Sequence, residues 1–351
     1  MLRWSRVEDL AFRLRRTSPA MDPRTAQKLA ALFYVVSFSS GLWCWVLTAY
    51  LLYRGPYTAI PTLIYVIYIW FGPGARASGE GSWPTPFKRL TVWRTFAEYF
   101  PATLVKTCEL DPDKSYLFGF HPHGILSVSA WVGFVTEATG FSKQFPGLTL
   151  HGMTLKPNFK TPLLREWLLL HGMCDCDRKT CVRMLSRSGS AILLAIGGAV
   201  ESLHSAPGTF DLVLTRRKGF VRVALESGAS LVPVIAFGEV DLFYTCKPPP
   251  ASRIARFQRW IEKTWGVTFP LAHGDGIITP GTGFLPRRQP LHIVVGSPID
   301  LPKYPGDLHS GEGQKLTDEF HGKYVAALQA LWDRYKDDYA PTRKQELRMV
   351  E

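Results

Sequence analysis

Between residues 29 and 75 the chain carries one charged side chain, Arg54, and no other feature limits its possible folds as strongly. Residues 29–53 and 55–75 form uncharged runs of 25 and 21 positions, each long enough for a helix to cross a bilayer, which takes about 20 residues. Gly55-Pro56 reads as a tight turn between them, so the pair predicts a transmembrane helical hairpin. A buried hairpin of a soluble protein is the competing reading. Trp43, Trp45, Tyr50, Tyr53, Tyr57 and Trp70, several of them near run ends, fit interfacial anchoring better. Seven basic residues precede the first run, and Arg76, Lys88, Arg89 and Arg94 follow the second; by the positive-inside rule both termini are expected on the cytosolic side. Arginines break up the first 28 residues, so no cleavable signal peptide is read there. Within them Trp4, Val7, Leu10, Ala11 and Leu14 recur at helical spacing, the pattern of an amphipathic helix on an anionic membrane surface, with a solvated basic tail as the alternative.

The remaining chain is long enough for a substantial core. Its 351 residues are 46% hydrophobic, and short apolar runs at 116–120, 191–196, 231–237 and 291–295 alternate with helical patterns at 163–170, 220–227, 254–265 and 316–335. Such alternation predicts an α/β fold, a sheet flanked by helices. The expected organisation is a basic segment over 1–28, the hairpin over 29–75, a Gly/Pro/Ser-rich linker over 76–86, a cytosolic domain over 87–340 and a polar tail over 341–351. In the last helical pattern Phe320, Tyr324, Ala327, Leu328, Leu331 and Tyr335 share one stripe, which reads as core packing. Lys and Arg outnumber Asp and Glu by 41 to 29, a net charge of +12, which favours an anionic partner such as nucleic acid, a phosphorylated cofactor or an acidic membrane surface, and charge by itself does not choose among them. Six cysteines in so long a chain are too sparse for a disulfide framework, so free thiols are expected.

After the run at 116–120 the chain reads His121-Pro122-His123-Gly124. Groups at the carboxyl ends of strands in open α/β sheets are placed for chemistry, and a neutral imidazole can take a proton near neutral pH. Gly197-Gly198-Ala199-Val200-Glu201 ends another strand pattern, where backbone N–H groups can face a developing oxyanion and Glu201 can orient a histidine. Arg216-Arg217-Lys218-Gly219 opens a helix, where cations and first-turn amides suit an anion. The bland readings are two surface histidines, a turn carboxylate and a solvated basic turn. Taken together, the features suggest a base that activates an alcohol dissolved in the bilayer and a basic groove for a phosphorylated acyl donor.

The blocks Tyr116-Leu117-Phe118-Gly119-Phe120-His121-Pro122-His123-Gly124, Phe145-Pro146-Gly147, Gly197-Gly198-Ala199-Val200-Glu201-Ser202, Arg217-Lys218-Gly219-Phe220, Leu231-Val232-Pro233, Phe237-Gly238-Glu239 and Gly296-Ser297-Pro298-Ile299 occur in an order that resembles the type 2 diacylglycerol acyltransferase family. The resemblance covers roughly residues 96–339. It implies an acyltransferase-like mixed sheet and transfer of a fatty acyl group from acyl-CoA to diacylglycerol at the endoplasmic reticulum membrane, forming triacylglycerol, with the lipid-droplet surface as a second destination. Monoacylglycerol and long-chain alcohols are the acceptors it leaves open. Read with the residues themselves, His121 or His123 is the candidate base and Glu201 the candidate for orienting it, with Gly124, Gly197, Gly198, Arg217, Lys218, Gly219 and Glu239 expected around the substrates. The wider glycerolipid acyltransferase signature pairs its His with a following Asp; Leu126 and Val128 stand where that Asp would.

No cofactor is expected, because a thioester is already activated; nucleic acid is not expected as a partner, and homo-oligomerisation is left open. His171, Cys174, Cys176 and Cys181 fit a zinc site poorly, since one residue separates the first two cysteines where structural sites leave two to four. No metal is expected. No Gly-x-Ser-x-Gly elbow supports a hydrolase. A non-catalytic membrane scaffold is the remaining rival, and it would have no need for the convergence of two histidines, a glycine turn and a basic loop.

Overall fold

A computed structural model describes residues 21–350 except 84, 247, 250 and 266–269; most of the 1–28 segment lies outside them. Eleven strands are present among the described residues: β1 (Thr103–Lys106), β2 (Tyr116–His121), β3 (Thr149–Thr154), β4 (Cys174–Asp175), β5 (Ser190–Ala195), β6 (Asp211–Val213), β7 (Ser230–Phe237), β8 (Tyr244–Cys246), β9 (Leu271–His273), β10 (His292–Val295) and β11 (Arg348–Val350). Seven of them make one mixed sheet in the order β1-β10-β7-β2-β5-β3-β4. The central strands β5, β2 and β7 run parallel, and β10 reverses direction against β7. Their near-unbroken apolar character follows from burial on both faces: every residue of β2 and β7 is buried.

The period of two along β2 sorts its side chains. Tyr116, Phe118 and Phe120 enter a core with Trp93, Phe96 and Trp131. Leu117 faces the opposite core, built with Ile192, Leu231, Phe237, Leu328 and Trp332. His121 shares the parity of Leu117, so it points toward the long helix Gly311–Tyr339, which Ser310 caps by accepting the Gly313 N–H at 3.1 Å.

The N-terminal region departs from two straight spans. Residues 29–53 are divided between α1 (Pro23–Phe38) and α2 (Ser40–Tyr53), bent by 61° at Ser39. The second run forms α3 (Pro56–Trp70) and then turns by 49° into a 3-10 segment, Pro73–Gly79. Among the described residues no single helix is long and apolar enough to cross a membrane, although the two bent pairs pass by length and composition together. Ala30, Ala31 and Tyr34 of α1 are buried against α4 (Thr91–Tyr99), with Tyr34 stacked on Phe96 at 4.7 Å, so α1 belongs to the body of the protein. The expected linker is packed as well, since Ala77 and Ser78 are buried and the Ser78 hydroxyl donates to Asp175 at 2.7 Å. By contrast α2 and α3 pair with each other and expose Leu42, Trp43, Val46, Leu47, Ile60, Ile64 and Ile67.

Candidate active site

Three neighbouring parallel strands deliver the site. β2 ends in His121 and leads into His123; β5, on one side, leads through Gly197 and Gly198 into Glu201; β7, on the other, leads into Glu239. Carboxyl ends of adjacent strands are where such sheets gather reactive groups.

Glu201 is buried and accepts the His123 backbone N–H at 2.8 Å and the Val213 N–H at 2.9 Å. Its Oε1 stands 3.8 Å from His121 Nδ1, beyond hydrogen-bond reach. The expected orienter therefore holds the backbone of His123 rather than bonding a ring nitrogen. Glu239 mirrors it from the other side: it accepts from the backbone of Val128 (3.1 Å) and Ser129 (2.7 Å) and from the Ser129 hydroxyl (2.6 Å). Burial pushes its carboxyl up to about 7, with the three donors opposing. Two buried carboxyl groups thus clamp the chain from His123 to Ser129, each accepting more than one hydrogen bond. Gly197 and Gly124 owe their identity to this arrangement. A Cβ would fall 2.0 Å from the Glu201 carboxyl at Gly197, and 2.3 Å from Glu239 Oε1 at Gly124.

The two histidines differ in environment. His121 is fully buried, with Nε2 3.0 Å from the Tyr324 hydroxyl, which also lies 3.1 Å from the Gly119 carbonyl. The single hydroxyl proton serves one of those two acceptors at a time. Burial holds the Tyr324 phenol well above its ordinary value, and the charge of Glu201 adds to this. His123 is half-buried. Its Nδ1 lies 2.9 Å from the Gly124 carbonyl, an acceptor only, so Nδ1 carries the hydrogen and Nε2 presents a lone pair. The Ser127 hydroxyl sits 3.3 Å from that nitrogen and donates to the His123 carbonyl at 3.0 Å.

Tyr324 corrects the expectation that its stripe only packs the core. Its one sequence-level signal was Gly119 inside a buried strand, where a Cβ would stand 2.0 Å from the Tyr324 oxygen. Ser127 and Ser129 had no distinguishing signal. Of the candidate oxyanion donors, the Gly198 N–H is already given to the Ala195 carbonyl at 3.1 Å.

The basic turn follows β6 in the chain. Val213, which donates to Glu201, is followed four residues later by Arg217, exposed, and Lys218, whose Nζ pairs with Asp318 at 2.7 Å. A half-exposed pair of this kind adds at most about 1 kcal/mol, so an incoming anion can displace it. Gly219 then opens the helix Gly219–Ser227, with open space where a Cβ would stand.

Of the residues weighed for zinc, His171, Cys174 and Cys181 are buried and Cys176 is half-buried. Burial lowers His171 to about 4 and raises the Cys174 and Cys181 thiols to about 12, and His171 Nδ1 is 2.8 Å from the Trp167 carbonyl. Among the described residues no group of three His, Cys, Asp or Glu is arranged to hold a metal, and all six cysteines are free.

A family model described as "Diacylglycerol acyltransferase" matches residues 50–350. The chain is 41% identical over 292 residues to "Diacylglycerol O-acyltransferase 2B" of Umbelopsis ramanniana, covering 82% of each chain. It is 37% identical over 315 residues to "Diacylglycerol O-acyltransferase 2" of Danio rerio, covering 88% of this chain and 85% of the relative. It is also 35% identical over 329 residues to "Acyl-CoA wax alcohol acyltransferase 1" of Homo sapiens, covering 93% and 98%.

Proposed function

Because the chain belongs to the diacylglycerol acyltransferase family, we propose that it transfers a fatty acyl group from acyl-CoA to the free hydroxyl of diacylglycerol, forming triacylglycerol. The observation that carries the mechanism is the His123 ring, half-exposed beside two buried carboxyl groups, with Nδ1 bonded to a carbonyl and Nε2 left to accept a proton. Nε2 takes the acceptor's hydroxyl proton as its oxygen attacks the thioester carbonyl carbon. The C–S bond of the tetrahedral intermediate then breaks, and the departing CoA thiolate takes the proton back from the imidazolium. His121, fully buried, is a positioning residue: with Tyr324 and Glu201 it fixes the turn that carries His123.

The thioester is activated before it binds, so this route calls on no cofactor. Arg217, Lys218 and the first turn at Gly219 hold the CoA phosphates. Backbone N–H groups at Gly124 or Gly197 meet the oxyanion. General base catalysis contributes about 10²- to 10⁴-fold. His123→Ala is expected to lose activity in that range, and His121→Ala to lose activity together with thermal stability. Near wild-type transfer by purified His123→Ala would overturn the assignment.

The exposed apolar faces of α2 and α3 support a membrane-embedded hairpin, and the flanking basic residues support cytosolic termini. Residence in the endoplasmic reticulum membrane, with exchange to lipid droplets, fits a lipid acceptor. A second reading keeps the chemistry and changes the acceptor, and similarity to a wax alcohol acyltransferase favours it. Labelled acyl-CoA offered with diacylglycerol, monoacylglycerol or a long-chain alcohol separates the two: exclusive wax ester product would replace the diacylglycerol assignment.

A further inference from the structure

Between β8 and β9 the chain leaves the main sheet and forms the helix Arg253–Trp265. This helix rests on the body through Ala255 and Gln258, one turn apart and both buried. Ile254, Phe257 and Trp260 follow at every third position on a different face. Phe257 and Trp260 are each 57% exposed, with their rings stacked 6.0 Å apart. Arg253, Arg256 and Lys263, all exposed, border that stripe. Single apolar side chains on a surface are ordinary, but an apolar stripe edged by cations is the pattern of a helix lying in the interfacial plane of an anionic bilayer.

A second apolar feature follows β9. Bridges between Gly274 and Gly283 and between Asp275 and Leu285 close the loop, and the Asp275 carboxylate accepts the Gly281 N–H at 2.9 Å. This braced turn displays Ile277, Ile278 at 91% exposure and Phe284 at 80%. It is fastened to the N-terminal region, since Lys28 Nζ donates to the Ile277 carbonyl at 2.9 Å. Lys28 lies on α1, which passes through the bend at Ser39 into the exposed apolar pair α2 and α3. The basic helix, the apolar turn and the hairpin are therefore linked structurally, and the net charge of +12 complements an anionic leaflet.

We propose that the helix Arg253–Trp265 and the turn at 277–284 form a second, peripheral membrane contact, selective for anionic phospholipid, that seats the catalytic body against the bilayer. It rests on the membrane reading of α2 and α3 only for the side of the body that faces lipid. The hairpin meets the body along one seam, where Tyr65 and Trp70 bond to Glu166, Leu163 and Lys160, so by itself it braces the body against the bilayer on that side only. A second point of contact fixes its orientation, and with it the approach of a bilayer-dissolved acceptor to His123.

The test uses the full chain with Phe257→Cys and Cys246→Ser, labelled with the fluorophore NBD and reconstituted into phosphatidylcholine vesicles with or without phosphatidylserine. The Cys246→Ser parent, treated identically, supplies the background. In anionic vesicles, nitroxide lipids are expected to quench the probe more strongly than iodide does, as for a residue buried at the headgroup boundary. Quenching should be weaker without phosphatidylserine and should fall to that level in Arg253→Glu/Arg256→Glu/Lys263→Glu. A probe at 257 that iodide reaches fully and lipid nitroxide does not, or one quenched equally in both vesicles, would overturn the proposal. A separate probe at Leu47→Cys reports on the hairpin. Quenching at 257 without quenching at 47 removes the hairpin reading and leaves this contact standing, whereas the reverse removes this contact alone.

Discussion

At the scale of single residues, the site turns on which polar groups have partners. The Tyr324 hydroxyl is the only group the described structure places within hydrogen-bond distance of a His121 ring nitrogen. Tyr324→Phe keeps the packing and deletes that partner, leaving Nε2 buried and unpaired at a cost of about 1–3 kcal/mol. The variant is expected to melt at lower temperature in detergent and to lose kcat, with the KM for acyl-CoA unchanged because the basic turn is untouched. Unchanged melting and kcat would show that Tyr324 only fills space. Gly119→Ala should be the harsher change, since its Cβ would lie 2.6 Å from Ile196 Cδ1 and 2.8 Å from Tyr324 Cζ, contacts that persist whatever becomes of the hydroxyl.

At the scale of elements, the clamp between the end of β7 and the turn at Val128–Ala130 predicts a pH dependence. Burial raises the Glu239 carboxyl from 4.5 to about 7, so the folded protein retains a proton that the unfolded chain has already released. The resulting stabilisation is complete below pH 4.5 and is lost as the pH rises through 7, by up to roughly 3 kcal/mol. Glu239→Gln removes the titration, so the melting-temperature gap between wild type and variant should narrow from pH 4.5 to 8. A gap independent of pH would place the ionisation elsewhere. The elements themselves were largely legible. The runs at 116–120 and 231–237 became β2 and β7 within one residue at either end, because strands buried on both faces leave unbroken apolar stretches. The three-residue strands β6, β8, β9 and β11 left no such trace. The helical period correctly placed Tyr324 on a buried face, but it could not reveal that a hydroxyl on that face meets a histidine 203 positions away in the chain. Nor could hydrophobic spacing show that Ser39 divides the first apolar run, whose first half packs Tyr34 on Phe96 while its second half is mostly exposed.

At the scale of the whole molecule, that bend divides two kinds of apolar surface. α1 is held to the body by buried Ala30, Ala31 and Tyr34. The pair α2 and α3 touches the body along one seam, where Tyr65 donates to Glu166 and accepts the Leu163 N–H at 3.0 Å, and where Trp70 Nε1 donates to the Lys160 carbonyl at 3.0 Å. Away from that seam, Val46, Leu47, Ile60 and Ile64 face outward. In water these faces would be an aggregation hazard; within hydrocarbon they are an anchor. The two cases separate in an extraction experiment. Wild-type protein is expected to remain in the membrane pellet after alkaline carbonate treatment. Replacing the four outward residues by lysine adds roughly 10 kcal/mol against burial in the bilayer, at about 2.5–3.5 kcal/mol per central lysine, and disturbs no buried contact. That variant should move to the supernatant with its melting transition preserved in detergent. Release of the wild type by carbonate, or retention of the quadruple variant, would show that the apolar faces meet something other than lipid.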